Sequence, residues 1–450
     1  MASALIGRQA IVVGAGIAGL SAARALADYF EHVTVLERDT LPLDESHRIG
    51  TPQSRHVHAL LGGGQRALCD LFPGFEDDLA AAGAVPLRVG LDIRLETPDF
   101  DPFPVRDLGL VTYSMSRPLI ELTVRRRVVQ HANITIRDHY RVRDIVAASG
   151  GDAVSAIRFE NAKRERETLA ADLVVDASGH GNLTLGLLQA IGRSPPEETV
   201  IGVDIGYAST VFAIPENAAP DWRGVATVPQ APQYSRGGLM LPLEGNRWML
   251  SLGGRHGEKP PGDWDSFFLY ARQLRTPTIC DAIRRADRLG EIARFGFPAS
   301  VRRHFDRLTE FPRGLLPFGD AMCRFNPVYG QGMSVAAQEA CLLHELLGRR
   351  AKDTDPLGGL APAFFAEAMA LIDTPWALAA VPDFVFPETR GERPVDFERY
   401  LKFGASLNRL AAEDATVHKL LFEVRHLLKP RSALRDPDLV ERVKALEAQA

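Results

Sequence analysis

Cysteine is scarce: Cys69, Cys280, Cys323 and Cys341 are the only four in 450 residues. No two form a C-x-x-C pair, so spacing argues against a thiolate zinc site or a disulfide framework and suits a reducing cytoplasm. Basic excess is missing as well. Lys and Arg number 52 against 57 Asp and Glu, for a net charge of -5, which argues against a nucleic-acid partner. The arginine-dense stretches Arg125-Arg126-Arg127 and Arg302-Arg303 read as solvated faces. No uncharged stretch reaches the ~18 residues of a membrane span, so the expectation is a soluble chain with at most peripheral membrane contact. The start, MASALIGRQAIVVGAGIAGL, imitates a signal peptide, but Arg8 interrupts it and no small-residue cleavage site follows. Internal repeats and long low-complexity tracts are absent too.

What is present is a chain too long for one core, so two domains and a third small element are expected. Gln9 to Val13 reads as a strand, Gly14 to Gly19 as a turn, Leu20 to Phe30 as an alanine-rich helix and Val33 to Leu36 as a second strand. A short buried strand at Leu173 to Val175 and the stretch GLLPFGDAMCRFNPVYGQGMSVAAQEACLLHELLG repeat the strand-to-loop pattern far downstream. Between Gly202 and Arg255, short β-like segments punctuated by Pro and Gly read as antiparallel sheet. Asp263 to Arg288 and the region from Ala361 onward read as helical, and Gly62-Gly63-Gly64 reads as a turn.

The turn GAGIAG (Gly14, Gly16, Ile17, Ala18, Gly19) is G-x-G-x-x-G between a strand and a helix. Its glycines permit a tight turn and close approach of a pyrophosphate to the helix N-terminus. Glu37, with Arg38 after it, follows the second strand. A carboxylate there accepts hydrogen bonds from both hydroxyls of an adenosine ribose and disfavours a 2′-phosphate. FAD or NAD follows, and the downstream loop favours FAD, because the ribityl chain and flavin ring need a second set of contacts. Gly319-Asp320 offers a carboxylate to the ribityl chain. Pro327, Gly330, Gln331, Gly332 and Met333 lead into a helix whose N-terminus can face the flavin, where negative charge accumulates on reduction.

These motifs, with LVVDASG ending at Gly179, resemble the flavoprotein monooxygenases of the p-hydroxybenzoate hydroxylase fold. TPQSRHVHALL, YSMSRPLIE, the GYAS stretch and VFPETRG are similar to the branch of polyether and squalene epoxidases. DASG stands where many members have GADG. The resemblance implies an α/β chain: a Rossmann-type FAD-binding domain (1–90, 110–200 and 296–360), an inserted antiparallel substrate sheet (91–109 and 201–295) and a helical C-terminal segment (361–450). It implies that Arg55, Arg117, Ala177 and Gly179 lie near the cofactor. It also implies insertion of one oxygen atom from O2, through a flavin C4a-hydroperoxide, into a lipophilic polyketide, polyene or terpenoid. No second G-x-G-x-x-G is found, so NADPH or NADH is expected as a transient reductant, with a partner flavin reductase as the other source. The sheet residues Val203, Ile205, Phe212, Leu239, Met240, Leu241, Trp248 and Leu250 are expected over the flavin, and Met240, Trp248 and Leu250 are read as substrate contacts. His56 and His58 read as packing or substrate-loop residues. A halogenase or geranylgeranyl-reductase-like enzyme and a non-catalytic flavoprotein are the other readings. The tryptophans form no W-x-W-x-I-P element of the tryptophan-halogenase kind.

Overall fold

The computed structural model describes residues 5–216 and 220–447. In chain order, β1 (Gly7–Val13), α1 (Ile17–Ala27), β2 (Phe30–Leu36), α2 (Gly62–Leu71), α3 (Arg117–Val128), β3 (Ile134–Arg137) and β4 (Leu173–Asp176) begin the nucleotide layer. Next come β5 (Glu198–Ala213), β6 (Gly224–Thr227), β7 (Gly237–Leu243), β8 (Arg247–Arg255), α4 (Trp264–Arg272), α5 (Thr278–Ile283) and β9 (Ala293–Arg303). Then β10 (Leu315–Pro317), α6 (Gly332–Arg350) and α7 (Leu360–Ala379) follow. β10, β4, β1, β2 and β3 form a five-stranded parallel sheet in that order. Ala10 to Val13 are all buried, as expected for a strand covered on both faces.

Helix α1 starts at Ile17 rather than Leu20 and ends at Ala27, and Phe30 opens β2 instead of closing the helix. The cause is Phe30 itself, fully buried beside Gly7 of β1, where a Cβ would lie 2.5 Å from its ring. Gly62 to Gly64 form the first turn of α2 and not a free turn. Cβ atoms at Gly63 and Gly64 would lie 2.2 Å from the Leu427 carbonyl oxygen and 2.5 Å from the Ser334 Cα. These glycines let α2 approach α6.

A seven-stranded sheet stands beside this layer, with strand Cys323–Arg324, β9, β5, β8, β7, β6 and strand Ile93–Glu96 in order. It is antiparallel except where β6 meets Ile93–Glu96. The helical stretch from Asp263 to Arg288 is two helices, α4 and α5, which pack on the outer face of this sheet.

Leu360–Val385, containing α7, has the length and mean hydropathy (1.4) of a membrane span. It nonetheless carries Glu367 and Asp373, paired with Arg349 and Arg302. Its Phe364, Phe365, Ala368, Met369 and Ile372 belong to the main core, so it packs as a core helix. Helices Phe397–Glu413, Ala415–Arg425 and Pro437–Glu447 gather around a separate cluster with Phe103.

Candidate functional site

The carboxyl ends of β1, β2, β4 and β10 converge on one groove. At Gly14 (φ +102) the chain leaves β1, and a Cβ there would sit 2.6 Å from the Ala177 carbonyl oxygen. A Cβ at Gly19 would lie 1.9 Å from the Gly14 oxygen, so only glycine fits either position. Gly16 differs: its Cβ direction is open, with Arg48 and Arg117 nitrogens nearest at 3.8 and 3.9 Å. No side chain caps α1, and its first turn holds no acid. Its N–H groups and dipole therefore face the groove. Ile17 is buried, and Ala18 meets Gly319 across the groove, where a Cβ at Gly319 would be 2.9 Å away.

Glu37 is buried and accepts from the backbone N–H of Ala15 (2.8 Å) and Asp39 (3.0 Å). Burial alone would raise its carboxyl, but Arg48 and these N–H groups outweigh it and hold the group below the ordinary range. Arg48 lies 2.9 Å from Glu37 and 2.7 Å from Glu121 of α3, with Arg117 3.3 Å from Glu121. Sequence reasoning missed Arg48, because its partners are brought to it only by the fold. Arg38 and Arg55 are solvent-exposed, and Arg38 is 3.9 Å from Asp39. Beyond β4, Asp176 is fully buried and binds Ser178 and Thr184, shaping the turn through Ala177 to Gly179 (φ +95); a Cβ at Gly179 would meet nothing within 4 Å.

At the other end, Gly319 (φ +62) donates its N–H to Glu339 of α6 at 2.8 Å. Asp320 opens into the groove, yet protein crowds it closely enough that lost hydration raises its carboxyl above the ordinary value, against the pull of Arg324 and Arg117. Asn326 caps the short turn Pro327–Tyr329, Gly330 (φ +65) reverses the chain, and Gln331 leads into α6. This helix too has no side-chain cap and no acid in its first turn. The Cβ direction of Gly332 is open except for Asp320 at 3.9 Å, and the buried Gln331 Oε1 has no hydrogen-bond partner among the described residues. Met333 is buried.

Two uncapped helix N-termini, three glycines facing open space and a carboxylate at each end suit one long anionic ligand with a hydroxylated chain. FAD fits that description.

The inner face of the large sheet looks toward this groove. Register places Tyr207, Ser209, Met249, Ser251, Leu239 and Leu241 on one face and Ala208, Phe212, Trp248, Leu250, Leu252 and Met240 on the other. The second set forms a core with α4 and α5. Met240, Trp248 and Leu250, expected to contact substrate, therefore lie on the outer face, packed against α4 and α5 and turned away from the groove. The set expected over the flavin mixes the two faces: Leu239 and Leu241 are on the inner one, Phe212, Met240, Trp248 and Leu250 on the outer. On the inner face, His56 Nδ1 is 2.7 Å from Ser209 Oγ, which is 2.6 Å from Ser251 Oγ, and Ser251 accepts the Val57 N–H at 2.8 Å. This ties the His56 to Ala59 loop to the sheet, while Ala59 touches Gly330, whose Cβ position is 3.2 Å away.

Comparison with known proteins agrees with this geometry. Protein Rv3254 of Mycobacterium tuberculosis is 36% identical over 401 residues, covering 85% of this chain and 82% of that one. Squalene epoxidase 4 of Arabidopsis thaliana is 25% identical over 364 residues, 75% of this chain and 61% of that one. Among solved structures, the flavin-dependent brominase Bmp2 shares the fold with a TM-score of 0.67 at 14% identity, over 98% of this chain and 99% of that one. At that identity the likeness extends to the fold alone. A family model described as FAD binding domain matches residues 8–356, and the chain belongs to that family, with a fold of the p-hydroxybenzoate hydroxylase type.

Proposed function

We propose that this protein is an FAD-dependent monooxygenase that inserts one oxygen atom from O2 into a lipophilic substrate, by epoxidation or hydroxylation of a polyketide, polyene or terpenoid. The observation that carries the reading is the meeting of the Pro327 to Met333 loop, at the N-terminus of α6, with the inner face of an antiparallel sheet. The Tyr207 hydroxyl on that face reaches Asn326, which caps the loop, so a redox cofactor held by the loop would lie against a mainly apolar wall. In this reading 1–90, 110–200 and 296–360 form the FAD-binding part, and 91–109 and 201–295 the substrate sheet.

Bound FAD supplies the electron transfer and the activation of O2. The chain's own residues do the rest. The α1 N-terminus, with Gly14, Gly16 and Gly19, would receive the pyrophosphate, beside the Arg48 and Arg117 guanidiniums that Glu37 and Glu121 hold next to Gly16. Glu37 accepts from the ribose hydroxyls. Asp320 accepts from the ribityl chain, which would also lower its raised pKa by giving the carboxylate donors. The N-terminus of α6, uncapped and without an acid in its first turn, would help hold the flavin and stabilise negative charge on it. Tyr207, Leu239, Leu241 and Met249, in place of the outer-face trio, present the substrate and exclude water. NADH or NADPH, visiting transiently, or a flavin reductase delivers electrons to a protein working in the cytoplasm.

The test is product analysis with labelled dioxygen. Holoprotein supplied with NADH or NADPH and a polyene should give a product heavier by one labelled oxygen atom, with reductant oxidation stimulated by the polyene. Reduced holoprotein that fails to react with O2 under any donor, or a halogenated product in the presence of halide, would sink the proposal.

A further inference from the structure

The C-terminal segment that follows α7 reaches back into the flavin-side loop. Asp383 lies in the short turn Pro382–Val385, beyond residue 356, where the family match ends. Its carboxylate is fully buried and has three partners from two distant parts of the chain. Arg255, at the end of β8, donates to Oδ1 at 2.6 Å; the Tyr329 hydroxyl donates to the same oxygen at 3.0 Å; Asn326 Nδ2 donates to Oδ2 at 2.9 Å. The segment is strapped to the sheet, because Gly202 and Arg390 exchange backbone hydrogen bonds of 2.8 and 3.0 Å where the β5 register shifts. Phe386 lies under the Arg255 guanidinium at 4.9 Å.

The side-chain chemistry gives this contact a direction. A carboxylate only accepts, so the Asn326 amide must turn its NH2 toward Asp383 and its oxygen the other way. That oxygen accepts the Val328 N–H at 3.2 Å and the Tyr207 hydroxyl at 3.4 Å. The first of these bonds caps the turn that delivers Gly330 and the start of α6 to the groove. The second comes from the inner face of the substrate sheet.

We propose that Asp383 is a positioning residue for the flavin-side loop: by fixing the orientation of the Asn326 amide and the Tyr329 hydroxyl, the Arg255–Asp383 pair makes the loop conformation depend on the substrate sheet and on the C-terminal strap. This rests on the reading that residues 327–333 face the flavin, and not on any particular substrate.

The experiment uses the full chain and needs neither substrate nor oxygen chemistry, so failure of the monooxygenase reading leaves its outcome intact. FAD is titrated into apoprotein by fluorescence quenching, visible circular dichroism is recorded on the holoprotein, and apoprotein melting is measured. Asp383→Asn should weaken FAD binding on the order of tenfold or more and alter the visible dichroism. Tyr329→Phe, which keeps the ion pair, should move both readouts in the same direction by less. Glu96→Gln serves as control. Glu96 is equally buried, in a cluster with Thr227, Thr276 and Thr278, and its loss should lower melting without changing FAD affinity or dichroism. If Asp383→Asn behaves like Glu96→Gln, the proposal is wrong. If Asp383→Asn does not fold, wild-type affinity and dichroism in Tyr329→Phe overturn it equally.

Discussion

Replacing Gly332 with valine separates cofactor contact from folding. Most glycines around the groove cannot report on the cofactor alone, since a side chain at Gly14 or Gly19 would strike the protein's own backbone at 2.6 or 1.9 Å. At Gly332 the nearest heavy atom is Asp320 Oδ1, 3.9 Å from the Cβ position, which is ordinary contact. The residue is the first of α6, where valine is a better helix former than glycine by a few tenths of a kcal/mol. Apoprotein carrying Gly332→Val should therefore melt no lower than wild type. If the flavin packs against this helix N-terminus, the added methyls occupy its space, and overpacking of that kind costs about 1–3 kcal/mol, roughly a 5- to 150-fold loss of FAD affinity. Calorimetry of the apoprotein and a fluorescence-quenching titration with FAD check the two halves separately. Unchanged melting with unchanged FAD affinity would refute the placement of the loop at the cofactor.

Glu37→Gln should weaken FAD binding roughly 10- to 150-fold, the equivalent of one charge-assisted hydrogen bond at about 1.5–3 kcal/mol, read in the same titration. Glu339, fully buried behind Gly319, has its carboxyl raised by burial from 4.5 to about 8. A group whose folded pKa is raised favours folding below its unfolded value and loses that contribution as pH climbs through the folded one, so apoprotein stability should fall between pH 4.5 and 8. Glu339→Gln should flatten that stretch of the urea-midpoint profile, and an unchanged slope would count against a neutral Glu339. Burial lowers His56 and His418 from 6.5 to about 4, so the unfolded chain takes up protons that the folded one refuses. Stability should drop as pH falls from 6.5 toward 4, by about 3 kcal/mol for each histidine. In His418→Leu the acid-side loss should shrink, as measured by denaturant midpoints at pH 7 and pH 4.5.

What the sequence discloses about this site follows from how each part is built. A phosphate is bound by consecutive N–H groups at one strand-turn-helix junction, so Gly14 to Gly19 with Glu37 is a local signature and is readable without the fold. Asp320 and the loop into α6 are also contiguous, and their polar, glycine-broken composition stands out before a small-residue helix. Arg48 carries no such mark: it is one arginine in a loop, and its significance comes from Glu121, 73 positions later and only 2.7 Å away. Glu339 hides for the opposite reason, because a glutamate in a helix ordinarily faces water, whereas here it closes the back of the Gly319 turn.

The inner face of the large sheet lies furthest from sequence reasoning. Strand register assigns Phe212, Met240, Trp248 and Leu250 to one face and Leu239, Leu241 and Met249 to the other, and nothing local distinguishes them when both faces are buried. Deciding between them requires knowing that α4 and α5, which follow the strands in the chain, return to cover the outer face. The same holds for Asp383, which sits in a proline-containing stretch with the look of a connector. Its role depends on a strap at Gly202 and Arg390 that joins segments 188 residues apart. The glycine turns of the groove are thus encoded in runs of neighbouring residues, whereas the inner face of the large sheet is encoded in strand pairing, and if it holds the substrate as proposed, specificity can change there without touching the motifs that reveal the family.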